Sequence, residues 1–218
     1  MRIHGGRTLA NPETPFSGIV HVVDDDDELA ELFSLLLDSV SLPHKRFASG
    51  EGFLAAITPD EWGCVILDLR MPGMGGMAVL RHLREQRSTL SVIVVTGHGE
   101  IRSAVEAIQW GAINFLEKPF SNEELLANVH RALADSRTRH AQGTRLRELQ
   151  RKYDHLSARE RQVASLVSRG LTSKEVADEL GISARTVEVH RAHILEQLQC
   201  ESSVEIARLI VELEHSRN

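Results

Sequence analysis

From Ile19 to about Ala134 the chain alternates five short, apolar, β-branched runs with five longer stretches whose apolar residues recur every three or four positions. The strand candidates are Ile19–Val23, Lys45–Phe47, Cys64–Leu67, Val92–Thr96 and Asn114–Glu117. The helical stretches are Leu29–Val40, Gly50–Ile57, Gly75–Gln86, Glu100–Gln109 and Asn122–Arg137, each with the spacing of a helix that buries one face. One helix after every strand is what a parallel sheet needs, because each return crosses the sheet from one end to the other. The pattern therefore predicts an α/β, doubly wound, five-stranded parallel sheet covered on both faces. In such sheets functional groups collect beyond the carboxyl ends of the strands.

The punctuation changes after Arg137. Ser136–Asp154 is rich in Arg and Gln, is interrupted by Gly143, and carries Leu146, Leu149 and Tyr153 at helical spacing. It reads as a linker, at least partly helical, either separate from the preceding helix or continuous with it. From Ser157 onward short helices are marked by three capping boxes: Ser157 with Glu160, Thr172 with Glu175, and Ser202 with Glu205. In each, two helix-start amides are satisfied reciprocally. Gly170 and Gly181 stand where C-terminal caps belong. The expected division is a flexible tail over 1–17, an α/β domain over 18–137, a linker over 138–153, and an all-α four-helix domain over 154–218. Within the last, a helix-turn-helix is placed at about 172–191.

Charge divides with the domains. The whole chain carries −6 at neutral pH, but 1–135 sums to about −8 and 136–218 to about +2, an acidic half joined to a mildly basic one. No apolar run approaches the ~20 residues of a membrane-spanning helix, and 1–18 has no apolar core of a signal peptide. Cys64 and Cys200 fall in different domains, so a reducing, cytoplasmic setting without structural disulfides is expected.

The polar residues at the strand ends carry the chemistry. The first strand runs into Asp24-Asp25-Asp26-Asp27, the third into Asp68, the fourth ends at Thr96, and the fifth is followed by Lys118-Pro119. In a parallel sheet these converge on one edge. Clustered carboxylates repel unless a positive charge intervenes. An all-oxygen set open to water suits a hard divalent cation, Mg²⁺ above all, which keeps waters and bridges to phosphate oxygens. A carboxylate so supported, beside a lysine and a hydroxyl, makes a phosphoryl acceptor. Asp26, Asp27 and Glu28 read instead as a helix start.

These motifs carry a resemblance. Val22-Val-Asp-Asp25, Leu67-Asp-Leu-Arg-Met-Pro-Gly73, Thr96-Gly-His-Gly99 and Glu117-Lys-Pro-Phe120 resemble the receiver domain of two-component response regulators, and the third is similar to the FixJ type. The resemblance covers about 18–137 and implies a flavodoxin-like sheet. By position, it implies that Asp68 accepts phosphate and that Asp25 and Asp68 ligate Mg²⁺, with the main-chain carbonyl of Arg70 and with Asp24 assisting. It makes Thr96 and Phe115 a switch pair, gives Lys118 the ion pair with the phosphoryl group, and implies a cis Lys118–Pro119 bond. Arg70 and His98 flank the site, either governing access of water or standing as exposed loop residues.

The segments Leu156-Ser-Ala-Arg-Glu-Arg-Gln-Val163, Gly170-Leu-Thr-Ser-Lys-Glu-Val-Ala177 and Gly181-Ile-Ser-Ala-Arg-Thr-Val-Glu-Val-His-Arg191 resemble the LuxR-type helix-turn-helix over about 153–215. Ser173 departs from the pattern, where Asn is frequent. Val176, Ala177 and Leu180 are expected to pack on Val187, Ile194 and Leu198, leaving Arg185, Glu188, Val189 and Ala192 on the outer face of a recognition helix, Ala184–Leu198. Such a helix enters the major groove. Lys174 and Thr186 would touch phosphates, Glu188 would accept from a cytosine amino group, and Val189 would meet a thymine methyl. Arg185 belongs to the same set, and Arg191 either reaches a phosphate or pairs locally.

Three functions compete. An aspartyl phosphatase would want a second Asp two residues after the nucleophile, where Arg70 stands. A receiver-like fold that takes no phosphate is disfavoured by the joint presence of Asp25, Asp68, Thr96 and Lys118. The expectation is a phosphorylation-controlled transcription regulator, not an enzyme beyond its own phosphorylation and dephosphorylation. Its partners would be a sensor histidine kinase, double-stranded promoter DNA, RNA polymerase and, once phosphorylated, a second copy of itself.

Overall fold

The computed structural model describes residues 18–97 and 101–217. Its first unit contains β1 (Ile19–Val23), α1 (Asp27–Ser39), β2 (His44–Phe47), α2 (Gly50–Ala56), β3 (Gly63–Asp68), α3 (Gly76–Glu85), β4 (Ser91–Thr96), α4 (Ile101–Gln109), β5 (Asn114–Glu117) and the start of α5 (Asn122–Asp154). The strands form one sheet in the order β2-β1-β3-β4-β5, and all four pairings are parallel. The doubly wound sheet expected from the alternation is the one observed.

Side chains alternate across the sheet with period two, which builds two cores. Val20, Val22, Cys64, Ile66, Ile93, Val95 and Leu116 face one side with Phe33 and Leu37 of α1 and Leu125, Val129 and Leu133 of α5. Val23, Val65, Leu67, Val92 and Val94 face the other with Phe53 of α2, Val79, Leu80 and Leu83 of α3, and Ala107 of α4. Every residue of β3 and β4 is buried, which is why these strands read as continuous apolar runs. At about 1.5–3 kcal/mol for each large aliphatic side chain buried, they dominate the stability of this unit.

Register then fixes the edge. Val23 pairs with Leu67, Asp68 with Val95, and Thr96 with Glu117. Asp24, Asp68, Thr96 and Lys118 therefore lie within about one residue of a common level. The Lys118 amide donates to the Thr96 carbonyl at 2.8 Å, and the Lys118–Pro119 bond is cis. Gly76 is required by close approach, since a Cβ there would lie 2.2 Å from the Asp68 carbonyl oxygen.

The compact units divide between His140 and Ala141, inside α5. Its 33 residues are the continuous alternative for the linker segment, helical from the sheet domain onward. One glycine costs a helix only about 1 kcal/mol, and Lys152–Glu148 (3.4 Å) supplies an i,i+4 pair. Residues up to Arg139 belong with the sheet. The Ser136 hydroxyl accepts from the Gly63 amide at 2.8 Å and donates to the Thr89 carbonyl at 2.7 Å. Arg139 donates to the Leu90 carbonyl and to Ser91 Oγ.

The second unit packs the end of α5 with α6 (Ala158–Ser168), α7 (Ser173–Leu180), α8 (Ala184–Leu198) and α9 (Ser203–Arg217). Leu149, Leu156, Val163, Val176, Val187, Ile194, Leu198 and Ile206 are buried together, with Tyr153 against them. Two capping boxes form as expected, at Ser157 and Thr172. The third is incomplete. Ser202 Oγ accepts from the Glu205 amide at 3.3 Å, but the Glu205 carboxylate reaches past Ser202 to the Glu201 amide at 2.7 Å. Gly181 ends α7 with φ +65°, a left-handed conformation that glycine adopts at little cost.

Candidate functional site

Strand ends deliver three carboxylates to one place. Oxygens of Asp24, Asp25 and Asp68 all lie within 4.8 Å of one another, with Asp24 and Asp68 buried and Asp25 exposed. Lys118 Nζ lies 3.4 Å from Asp68 Oδ1 and 3.6 Å from Asp24 Oδ2. The other Asp68 oxygen, Oδ2, accepts from the Arg70 amide at 2.9 Å, so the loop after β3 folds its backbone against the carboxylate. Asp26 belongs to the helix start, its carboxylate capping α1 by accepting from the Glu28 and Leu29 amides.

The electrostatics are unbalanced. Burial pushes the Asp24 carboxyl above its usual range. The Asp26 amide and Lys118 pull it back, while Asp68 and Asp25 push it further up. Two unit charges about 4 Å apart repel by roughly 4 kcal/mol at an effective dielectric near 20, so one ammonium leaves a negative surplus among three carboxylates. Asp24 Oδ2 is buried and, among the described residues, accepts no hydrogen bond. A buried oxygen of this kind inside an all-oxygen cluster fits a hard divalent cation.

Thr96 is 2% exposed, whereas Phe115 is 37% exposed. The Thr96 hydroxyl donates to the Gly97 carbonyl at 3.3 Å. Phe115 pairs in register with Val94, two residues before Thr96 on β4. His98 lies outside the described residues.

In the second unit, Lys174, Arg185, Thr186, Glu188, Val189 and Ala192 are all exposed, and Val189 shows half of its surface. Val187, Ile194 and Leu198 face inward against Val176 and Ala177. Ser183 caps α8 by accepting from the Thr186 amide at 3.0 Å, and its hydroxyl meets Thr186 Oγ1 at 2.8 Å. Arg191 is half-buried and paired locally. It donates to Ser173 Oγ at 2.8 Å and also to Ser203 Oγ. Ser173 Oγ in turn donates to Glu188 Oε1.

Residues 20–130 match the response regulator receiver domain, and residues 154–210 match the luxR family of bacterial regulatory proteins. The chain is 40% identical to the transcriptional regulatory protein FixJ of Azorhizobium caulinodans, over 89% of its own length and 92% of that protein. The chain is a response regulator. It is also 40% identical to the tetrathionate response regulatory protein TtrR of Salmonella typhimurium, over 87% of its length and 90% of that protein. Among solved structures, the response regulator StyR superposes with a TM-score of 0.77 at 36% identity, covering 89% of this chain and 98% of that one.

The response regulator thus brings Asp24, Asp25, Asp68 and Lys118 into one pocket. Lys174, Arg185, Thr186, Glu188 and Val189 stand exposed on α7 and α8. Arg191 differs from these in being held between α7 and α9. Ser173 and Ser203, its partners, were not singled out as site residues by the sequence reading. The only sequence signal was the departure at Ser173 from the Asn frequent there.

Proposed function

We propose that this response regulator is a transcription factor switched by phosphorylation of Asp68, with α8 as the DNA-reading helix. The observation that carries the acceptor assignment is the Asp68 carboxylate held between the Arg70 amide and the Lys118 ammonium, beside two further aspartates, at a strand end. A sensor histidine kinase would present a phosphorylated imidazole. An Asp68 carboxylate oxygen attacks phosphorus, the phosphorus–nitrogen bond breaks, the imidazole keeps the electron pair, and an acyl phosphate remains.

Asp24, Asp25, Asp68 and the main-chain carbonyl of Arg70 would hold Mg²⁺, which when bound neutralises charge on the phosphoryl oxygens. Lys118 donates to the same oxygens. Hydrolysis of the acyl phosphate then returns the Asp68 carboxylate and releases inorganic phosphate. The Thr96 hydroxyl turns toward the new phosphoryl group, and Phe115 follows inward. This biases the α4–β5 surface toward pairing with a second copy or toward release of the DNA-binding unit, a shift between two populations.

On the DNA side, Lys174, Thr186 and Arg185 contact the backbone, while Glu188 and Val189 meet base edges. The mild basicity of this half favours binding as a dimer on a two-fold site, with RNA polymerase as the downstream partner and the cytoplasm as the setting. No helix among the described residues is long and apolar enough to cross a membrane.

The test is labelling with acetyl phosphate and Mg²⁺. Asp68→Asn is expected to abolish incorporation, and labelling undiminished in that variant would overturn the assignment. Phosphorylation is further expected to raise DNA affinity or to change oligomeric state. If it altered neither, the gating would be wrong even with Asp68 correct.

A further inference from the structure

Not every side chain on the outer part of α8 is left to solvent. Glu188 and Arg191 are three residues apart, hence neighbours on one face of the helix, and both reach the same hydroxyl, that of Ser173. Arg191 donates to Ser173 Oγ at 2.8 Å, and the hydroxyl proton goes to Glu188 Oε1. The other fork of Arg191 donates to Ser203 Oγ. Ser173 is the first residue of α7 and Ser203 the first of α9. The guanidinium therefore ties the starts of two helices to the middle of a third.

From this network we infer that Ser173 is a positioning residue that sets the base preference of the recognition helix, through Glu188. The inference rests on the reading of Glu188 as a base-contacting group. An exposed glutamate samples many rotamers, and fixing it on a base costs conformational entropy. Here one carboxylate oxygen is already fixed to α7. The other, Oε2, accepts no hydrogen bond among the described residues and remains for an incoming donor such as a cytosine amino group. Arg191 makes the hydroxyl directional, because by occupying an acceptor lone pair it leaves the Ser173 proton to Glu188. The planar fork of Arg191 is matched to two hydroxyls at once.

The chemistry constrains what can replace Ser173. Alanine removes the bridge and leaves Arg191 and Glu188 each one partner short. Threonine keeps the hydroxyl. Cysteine keeps the size with a much weaker donor.

The experiment is selection from a randomised double-stranded oligonucleotide pool by the full-length chain, phosphorylated with acetyl phosphate and Mg²⁺. Thermal melts of each variant run in parallel. Glu188→Ala defines the operator position that Glu188 reads, as the one whose preference disappears. Ser173→Ala is expected to lose preference at that same position by about ten-fold while keeping the others, and Ser173→Thr to restore it. Arg191→Lys is expected to weaken the same position without changing the slope of affinity against salt, since no phosphate contact is lost. If Ser173→Ala unfolds the unit, Ser173→Cys reads the same position.

Full discrimination by Ser173→Ala or Ser173→Cys at a position that Glu188→Ala abolishes would overturn the positioning role and leave the base reading intact. No change at any position in Glu188→Ala, with DNA still bound, would overturn the base reading itself and the positioning role with it.

Discussion

His21 is a histidine with no exposed surface in the middle of β1. Its ring lies against Phe47 and Phe53, with centroids 5.9 and 5.4 Å away. Nε2 stands 3.3 Å from Glu61 Oε1, and Lys45 Nζ is 3.8 Å from the same oxygen. That is ion-pair distance, yet neither ring nitrogen makes an aligned hydrogen bond. Burial therefore wins. It lowers the imidazole from 6.5 to about 4, with Glu61 opposing and Lys45 assisting. The unfolded chain binds a proton here that the folded chain refuses, so this stability is complete above pH 6.5 and is lost as pH falls toward 4. At 1.36 kcal/mol per pH unit, the loss at pH 4 is on the order of 3 kcal/mol. Urea unfolding of wild type and His21→Phe at several pH values should show a steeper decline below pH 6.5 in the wild type; parallel declines would rule out His21 as the cause. Sequence periodicity places His21 on a strand, but it cannot supply Glu61, which approaches from a loop forty positions away. Asp24, Asp25, Asp68 and Lys118 were legible because strand ends of a parallel sheet converge whatever their rotamers. The Ser173 bridge was not, because it depends on three side-chain rotamers.

Elements were legible wherever periodicity and punctuation agreed. β1 and β5 have the bounds that their apolar runs suggest, and α1 begins where Asp26 can cap it. The capping boxes at Ser157 and Thr172 formed because serine or threonine and glutamate stand three apart, and His193, at 3.5 Å from Glu160 Oε1, leaves Oε2 to the cap. At Ser202 the neighbouring Glu201 amide competed for the carboxylate and won. Between an interrupted and a continuous helix, α5 takes the continuous form and stays helical through Gly143. Glycine lacks intrinsic preference for helix, but it does not forbid one. A Cβ at Gly143 would meet nothing nearer than Arg147 Nη1 at 3.9 Å, the flexible end of a side chain. Gly143→Ala is thus expected to stabilise the second unit by about 0.5–1 kcal/mol. For a unit of this size that raises the melting temperature by roughly 2–8 °C. An unchanged or lower midpoint in calorimetry would mean that α5 does not contribute to this unit's stability around Gly143.

For the molecule as a whole, the two-unit plan was legible in the shift from alternating strands and helices to capped short helices, and in the change of sign of the charge. The position of the division was not, because Ser136–Asp154 shows large apolar residues only at Leu146, Leu149 and Tyr153, too few to tell a solvated linker from a packed helix. Packing decides it. Leu149 is 6% exposed within the second core, and Tyr153 rests against that core. Arg145 donates to both carboxylate oxygens of Glu212 at 2.8 and 3.0 Å, and Lys152 donates to Gln199 at 2.7 Å. The stretch from 141 to 153 is therefore part of the second unit. Removing it would uncover Leu149's contacts, worth about 1.5–3 kcal/mol for a buried aliphatic side chain. It would also break a bidentate pair, in a unit whose total stability is of the order of 5 kcal/mol. A fragment comprising 141–218 is expected to melt cooperatively and to bind DNA. One beginning at 154 is expected to melt roughly 8–16 °C lower, the shift that about 2 kcal/mol produces in a unit this small. Equal midpoints by circular dichroism would show that the end of α5 only lies on the surface. The expected outcome would make the end of α5 a structural part of the second unit, with Leu149 in its core and Arg145 and Lys152 tied to α9 and to the end of α8.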